Sequence, residues 1–337
     1  MTADDVEHYR LSEAENRRIF QERIVPQQFS GRTPQRVPTV VVLLAQPGAG
    51  KTRLAHAVGN LLNERGGFIE IDSDLYKPYH PAYDELMRRD DTQMAKYTRA
   101  DGRAWMALAH EYVRDHKLNA IIQETSQDAE AVAETIEAYR RAGARIEVLA
   151  MGVAEALSDQ GIYNRYFEQV RERGSGRLTV MENAKQSLRG SLELARIVDA
   201  RKLAEHAAVY RRGEAQPRYS NRLNEAGAWE RPPDFAGGIE TERNRPLTEH
   251  ESWDFVAVQA KLRAGLKPEF QAELSRIDGL ARPLLHPDVV EQQRVMQLGR
   301  SGFGTPAREA TRQSPENTSA PTLGHESGRE PSPEVER

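Results

Sequence analysis

The sequence predicts an α/β fold: a parallel sheet with helices on both faces, plus a C-terminal helical extension. Three observations predict it. A short apolar strand, Thr39–Leu44, runs straight into a glycine-bearing loop and then into a helical pattern from Thr52. Beyond it, short apolar runs alternate with amphipathic helical stretches, the signature of parallel strands joined by crossover helices. After about Pro232 the alternation stops and only helical patterning continues.

The elements follow in order. Residues 1–38 read as an N-terminal helix and linker. Ser12-Glu13-Ala14-Glu15 has the form of a capping box, with Ile19, Ile24 and Val25 as apolar points behind it. Pro26, Pro34 and Pro38 are expected to break the chain before the first strand. Residues 39–231 carry the sheet, with strands expected at Thr39–Leu44, Phe68–Ile71, Asn119–Gln123, Ile146–Met151 and, weakly, Ala207–Tyr210. Helices are expected between them at Thr52–Arg65, Ala100–Asp115, Asp128–Ala142 and Glu155–Glu172. Residues 232–298 hold helical stretches at Glu249–Ala264 and Pro268–Leu280, with Trp253, Phe255, Phe270 and Leu274 as anchors. Residues 299–337 are Gly, Pro, Ser, Thr, Glu and Arg with almost nothing large and apolar. Such a tail cannot bury enough surface to offset chain entropy, so disorder is expected.

Composition narrows the function classes. With 337 residues the chain is long enough for a sizeable core. Its net charge of −4 provides no general basic footprint for nucleic acid. The absence of cysteine excludes disulfides, thiolate metal sites and cysteine nucleophiles. Met1–Arg10 is acidic and polar, unlike a signal peptide. The apolar run at Val40–Ala45 falls far short of the ~20 residues of a membrane span. A cytoplasmic location is the expectation.

The loop after the first strand, Ala45-Gln46-Pro47-Gly48-Ala49-Gly50-Lys51-Thr52, has the layout of a P-loop, which makes the expected sheet a P-loop NTPase-type sheet. In such a loop backbone N–H groups and the lysine cradle phosphates. Lys51 is expected to reach the β- and γ-phosphates of ATP, and the Thr52 hydroxyl to take part in a Mg²⁺ site. Ala45 stands where the motif has its first glycine and gives up some backbone freedom.

Ligands of open α/β sheets bind beyond the carboxyl ends of the strands, so residues just after a strand are the candidates. The second strand ends in Ile71-Asp72-Ser73-Asp74. One of these carboxylates can hold Mg²⁺ and the other can accept a proton from a hydroxyl attacking the γ-phosphate, although aspartates there also cap helices. His80, held extended by Pro81, is a candidate substrate contact, although a lone histidine more often serves the fold than a ligand. Gln123, Glu124 and Thr125 end the third strand, where they either meet substrate hydroxyls or start the next helix. Arg165, Arg171, Arg173 and Arg177 lie around Gly174-Ser175-Gly176. Arginines on a glycine-hinged segment suit a lid over phosphates, though charge runs are usually solvated faces.

Together these segments resemble the zeta toxin family of kinases. The resemblance is carried by Ala45–Thr52, by Ile71–Asp74, by the K-x-x-H-P of Lys77–Pro81 with D-E-L at Asp84–Leu86, and by Arg165-Tyr166 followed by Arg177. It implies an ATP-dependent kinase that phosphorylates the 3′-hydroxyl of the sugar in a UDP-amino sugar, typically UDP-N-acetylglucosamine, and so disturbs cell-wall precursor synthesis. It further implies that Lys51 binds ATP phosphates, Thr52 takes the metal, Asp74 is the general base, and Arg165 and Arg177 neutralise phosphates. The family's sugar-binding glutamate falls on Gln123 in an ungapped alignment and on Glu124 after a shift of one residue. A small helical antitoxin that obstructs the nucleotide site is the implied partner, and the N-terminal helix is one surface it could hold.

Two other functions fit the same residues less well. One is a P-loop kinase for a different hydroxyl acceptor, such as an antibiotic or a nucleoside. The other is a non-enzymatic nucleotide-dependent switch that presents the C-terminal helices to a partner.

Overall fold

The computed structural model describes residues 3–89, 94–124 and 126–302. By internal contacts the chain divides after Gln292. Helices α1 (Ala3–His8) and α2 (Glu13–Ile19) open it, and the Ser12 side chain accepts from the Glu15 N–H as the capping pattern predicts. Pro26 does not end this segment. The chain continues from Phe20 to Phe29 in a π-type helix with Pro26 inside it. Ile19, Phe20, Ile24 and Phe29 are buried in the main core, and that burial outweighs the donor lost at the proline.

Strand β1 (Thr39–Leu44) leads through the loop to α3 (Thr52–Asn63). Then come β2 (Ile69–Ile71), the short α4 (Ser73–Tyr76), a 3₁₀ turn at Lys77–Tyr79, α5 (Tyr83–Arg89) and α6 (Met94–Asp115). They are followed by β3 (Ala120–Glu124), α7 (Ala129–Arg141), β4 (Arg145–Met151), α8 (Glu155–Arg173) and α9 (Met181–Arg201). Strands β5 (His206–Tyr210) and β6 (Pro217–Arg222) finish the sheet. Helices α10 (Phe235–Asn244), α11 (Glu249–Gly265), α12 (Gln271–Ala281) and α13 (Pro287–Gly302) follow.

The sheet order is β2-β3-β1-β4-β5-β6. All neighbours pair in parallel except β5 with β6. The register aligns the carboxyl ends: Leu44 lies opposite Glu124 and Ala150, Ile71 opposite Ile122, and Met151 opposite Tyr210. One edge of the sheet therefore gathers the P-loop, Asp72, Gly152-Val153 and Arg211-Arg212.

Alternation along the strands divides the core in two. Val41, Leu43, Ile121 and Leu149 pack under α3 with Ala55 and Leu62. Val40, Val42, Leu44, Ile122 and Val148 face a larger cluster containing Trp105 of α6, Ile136 of α7, Leu194 of α9 and Phe235 of α10. A third cluster joins Ala156 and Tyr163 of α8 to Phe255 and Leu262 of α11 and to Leu274 and Ile277 of α12.

The structure corrects the sequence reading in the stretch after α8. A 21-residue helix, α9, runs where none was expected. The edge strand β6 reads Pro-Arg-Tyr-Ser-Asn-Arg and carries no apolar alternation; its one buried residue is the polar Asn221. Helix α10 was also missed; it packs on α9, β5 and β6. Of the expected tail, residues 303–337 lie outside the described residues, and the first four residues of that stretch close α13.

Candidate active site

The loop from Ala45 to Lys51 has the backbone of an anion nest. Gly48 and Gly50 adopt left-handed φ of +76° and +85°. Gly48 has a second constraint, since a Cβ there would lie 2.0 Å from the Ser158 carbonyl oxygen of α8. Gly161 approaches from the other side, with its own added Cβ at 2.4 Å from the Gly48 carbonyl oxygen. Ala45 is not among the non-glycine residues with positive φ; it packs with Ala49, Met151 and Val153, so no glycine is needed there. Lys51 caps α3 and Thr52 begins it.

Asp72 leaves the end of β2 and its Oδ1 accepts the Asp74 N–H at 2.8 Å, so the capping role anticipated for an aspartate here is realised. Burial raises its pKa, the Asp74 charge adds to this, and Lys51 and Arg177 oppose it. The Lys51 charge is therefore felt at the aspartate pair. Asp74 accepts from Lys77 Nζ at 2.7 Å and from Arg177 Nη2. Burial alone would raise its pKa, but Arg177 and Lys77 outweigh that and hold it well below the usual carboxylate range. The side chain of Asp74 is closely surrounded by protein atoms, yet 38% of its surface stays exposed.

The arginines come from the α8–α9 corner. Arg165 lies on α8, and its Nη2 donates to Thr179 Oγ1 at 2.8 Å, while its buried Nε has no hydrogen-bond partner among the described residues. Burial, then the neighbouring Arg177, lowers its pKa. Gly174 ends α8 with φ +75°, which turns the chain so that Arg177 reaches back to Asp74. Its backbone N–H is tied to Gln169 Oε1 at 2.8 Å.

The acceptor-side candidates divide. Gln123 Nε2 donates to Glu70 Oε1 across β2 and β3, which commits its amide to the neighbouring strand. Glu124 pairs in the main-chain ladder opposite Leu44; its side chain and all of Thr125 lie outside the described residues. Asp128 caps α7, its Oδ1 accepting from the Ala131 N–H at 3.1 Å, so that stretch does start a helix. His80 is 3% exposed. Its Nδ1 accepts from the Ala82 N–H at 3.2 Å, and its Nε2 lies 3.0 Å from the Tyr9 carbonyl and 3.4 Å from Asp101 Oδ2. Both ring nitrogens are thus taken up by the protein, where the sequence reading had placed a substrate contact.

Two contributors escaped the sequence. Lys77 stands three residues after Asp74, and that spacing on a helical turn was the available signal. Thr179 had none. A cavity of about 270 Å³ opens beside the loop, lined by Val153, Leu157, Arg212, Glu242, Phe255 and Val258 among others. It lies at the carboxyl ends of β4 and β5, with Gly152 and Arg211 also in its wall.

A central strand, a loop of alternating left-handed glycines, a lysine at the helix start and an arginine-bearing corner define a P-loop fold of the kinase-like class. The family model described as Zeta toxin matches residues 25–224, and the chain belongs to that family. Proteins named Toxin zeta from Streptococcus agalactiae and Streptococcus pyogenes are 27% and 26% identical over 129 and 138 residues. These matches span 38% and 41% of this chain and 44% and 47% of the relatives, so the chain aligns with about half the length of each. Among solved structures, one reported for the PezAT chromosomal toxin–antitoxin system of Streptococcus pneumoniae superposes with a TM-score of 0.63 at 16% identity, covering 76% of this chain and 98% of that one. The structure of AvrRxo1-ORF1:-ORF2 with ATP gives 0.50 at 12% identity, over 79% and 90%. At these identities the structures speak for the fold alone. Among the described residues no helix is long and apolar enough to cross a membrane.

Proposed function

We propose that the protein is an ATP-dependent kinase that transfers the γ-phosphoryl group to the 3′-hydroxyl of the amino sugar of a UDP-sugar, UDP-N-acetylglucosamine, and acts as a toxin on cell-wall precursor synthesis in the cytoplasm. The observation that carries this reading is Asp74: an accessible carboxylate kept ionised between Lys77 and Arg177, beside an aspartate that feels the P-loop lysine.

In this reading Lys51 and the loop N–H groups hold the β- and γ-phosphates. Asp74 accepts a hydrogen bond from the acceptor hydroxyl, aligning its oxygen with the γ-phosphorus. As that oxygen forms the new P–O bond, the bond to the β-phosphate oxygen breaks, ADP leaves, and the hydroxyl proton passes to Asp74. Because Asp74 is a weak base in the ground state, its main contribution is orientation, with proton transfer late. Arg177 exchanges its bond to Asp74 for one to the transferring phosphoryl, and Arg165 places a second guanidinium there. Asp72 and Thr52 fit Mg²⁺. A buried carboxylate with a raised pKa favours a cation nearby, and Mg²⁺ takes one or two protein oxygens with phosphates and water. Bound there, Mg²⁺ would neutralise phosphate charge. With Gln123 committed to Glu70, we assign sugar recognition to Glu124.

The kinship with named toxins and with a toxin–antitoxin structure supports a small helical antitoxin as partner. The test is incubation with Mg-ATP and UDP-N-acetylglucosamine, followed by ³¹P NMR and mass spectrometry. A phosphorylated sugar nucleotide is expected. ATP binding without that product would remove the substrate assignment and turn attention to other hydroxyl acceptors.

A further inference from the structure

Arginines 211, 212, 243 and 245 come in two close pairs, and their surroundings differ. Arg211 Nε pairs with Glu242 at 2.7 Å, and Arg245 pairs with Glu251. Neither Arg212 nor Arg243 has a carboxylate within ion-pair distance among the described residues. Both turn to the P-loop instead. Arg243, on α10, donates through Nη2 to Gln46 Oε1 at 3.1 Å and to Ser191 Oγ at 2.6 Å, and through Nη1 to the Leu188 carbonyl at 2.9 Å. Arg212 follows β5 and donates to the carbonyls of Gly48 and Ala49, the latter at 3.2 Å, and to that of Leu157 at 3.2 Å.

Gln46 makes the first contact specific. It is 1% exposed, and its Nε2 donates to the Val153 carbonyl at 2.7 Å and lies 3.3 Å from Ser158 Oγ. With the amide nitrogen so engaged, its oxygen must face a donor, and Arg243 supplies it. The second contact acts on the peptide groups. In an anion nest the N–H ends of the peptides converge on the ligand. A cation bonded to the Ala49 carbonyl polarises the Ala49–Gly50 peptide in the same sense and makes the Gly50 N–H a better donor, while the bond to the Gly48 carbonyl strengthens the turn that the Ala49 N–H closes on the Gln46 carbonyl at 3.2 Å.

A buried guanidinium with no carboxylate in ion-pair contact costs stability. Arg243 is 8% exposed, its Nε has no hydrogen-bond partner among the described residues, and the charges of Glu240 and Glu155 offset its burial only in part. The same cost falls when an anion arrives close by.

We infer that Arg212 and Arg243 are positioning residues of the phosphate site. They grip the P-loop through its Gln46 amide and its Gly48 and Ala49 carbonyls, and they supply positive charge that a bound polyphosphate neutralises. The inference rests on the nucleotide-binding reading of the loop. The residues they hold are far away in sequence, 197 positions for Arg243 and Gln46, so no motif records the link.

Calorimetry on the full chain with ATP, ADP and AMP tests it, using Arg243→Gln, Arg212→Gln and the lysine variant of each, with thermal unfolding to confirm the fold. Each glutamine variant should weaken ATP about tenfold and AMP less than about threefold, because the contribution scales with phosphate charge. The lysine variants should regain part of the ATP affinity. A folded glutamine variant that binds ATP like the parent overturns the inference, and so does equal weakening of ATP and AMP, which marks a purely structural role. Should Arg243→Gln fail to fold, Arg212→Gln and Arg243→Lys are read by the same criteria. A parent protein that binds no nucleotide removes the P-loop reading itself, a result distinct from these.

Discussion

Asp72 and Asp74 are two residues apart and are pushed in opposite directions. Burial and the Asp74 charge raise the pKa of Asp72; Arg177 and Lys77 lower that of Asp74 against burial. The stability consequences have opposite signs. For Asp74 the folded pKa lies below the unfolded value near 3.9, so its contribution is present above about pH 4 and lost as pH falls through the folded value. For Asp72 the folded pKa lies above that value, so its contribution is full below about pH 4 and lost as pH rises through the folded value. In its ionised form Asp72 therefore weakens the fold. Asp72→Asn should raise Tm by about 2–4 °C, the shift that ~1 kcal/mol makes in a domain of this size, while lowering turnover. A lower Tm in that variant would show the carboxylate to be structural. Asp74→Asn should reduce kcat about 10²–10⁴-fold with ATP affinity within a few-fold of the parent, read by steady-state kinetics and calorimetry. Both aspartates were legible because they follow a strand next to a P-loop. The resemblance gave Asp74 the base role and left Asp72 for the metal; what the sequence did not carry is their opposite electrostatics, which depend on Lys77 and Arg177, the latter 103 positions from Asp74.

The P-loop shows how an element tolerates one departure and not another. Ala45 sits at negative φ in an apolar cluster, whereas Gly48 sits at positive φ against the backbone of α8. Ala45→Gly should thus leave ATP affinity within about twofold and slightly lower Tm, since glycine adds unfolded-state entropy. Gly48→Ala should abolish measurable ATP binding, because the new Cβ would have to displace the Ser158 carbonyl from 2.0 Å. Calorimetry on the two variants side by side checks this, and retained binding in Gly48→Ala would refute the described loop geometry. The motif itself was readable, including the helix behind it. The helix against which it closes, α8, was visible as a pattern, but the contact between Gly48 and Gly161 was not, since Gly161 is not marked by its neighbours in sequence.

Across the larger compact unit, the N-terminal and C-terminal segments are parts of the core. The π-type segment reaches the 3₁₀ turn behind Asp74 directly: Gln28 Nε2 donates to Tyr79 Oη at 2.7 Å, and Arg23 Nη1 lies 3.4 Å from the Tyr79 carbonyl. Asn16 Nδ2 donates to Asp101 Oδ1 at 3.1 Å, beside His80. At the other end, α11 and α12 cover the apolar side of α8, the helix that carries Arg165. Truncation before Pro232 should therefore give an aggregating or unfolded product, followed by circular dichroism and size-exclusion chromatography, because it strips Tyr163 and Ala156 of their buried contacts. A soluble truncated chain with normal turnover would show that α8 needs no such cover. The same packing bears on the switch alternative: helices built into the core under the lid arginines are poorly placed to be released to a partner.

Local information determined the strand–loop–helix around Lys51, the five parallel strands to within about a residue, the paired aspartates and the arginine corner. These follow from neighbouring residues: β-branched runs, glycines at positive φ, caps and charge. Only the tertiary structure decided that Gln123 binds Glu70, that His80 braces the N-terminal segment, that the polar β6 completes the sheet, and that Arg212 and Arg243 hold the phosphate loop. Apart from β6, which pairs with its neighbour β5 but has a polar sequence without strand alternation, each of those is a contact between distant parts of the chain, and a contact of that kind leaves no periodicity or spacing in the sequence on either side of it.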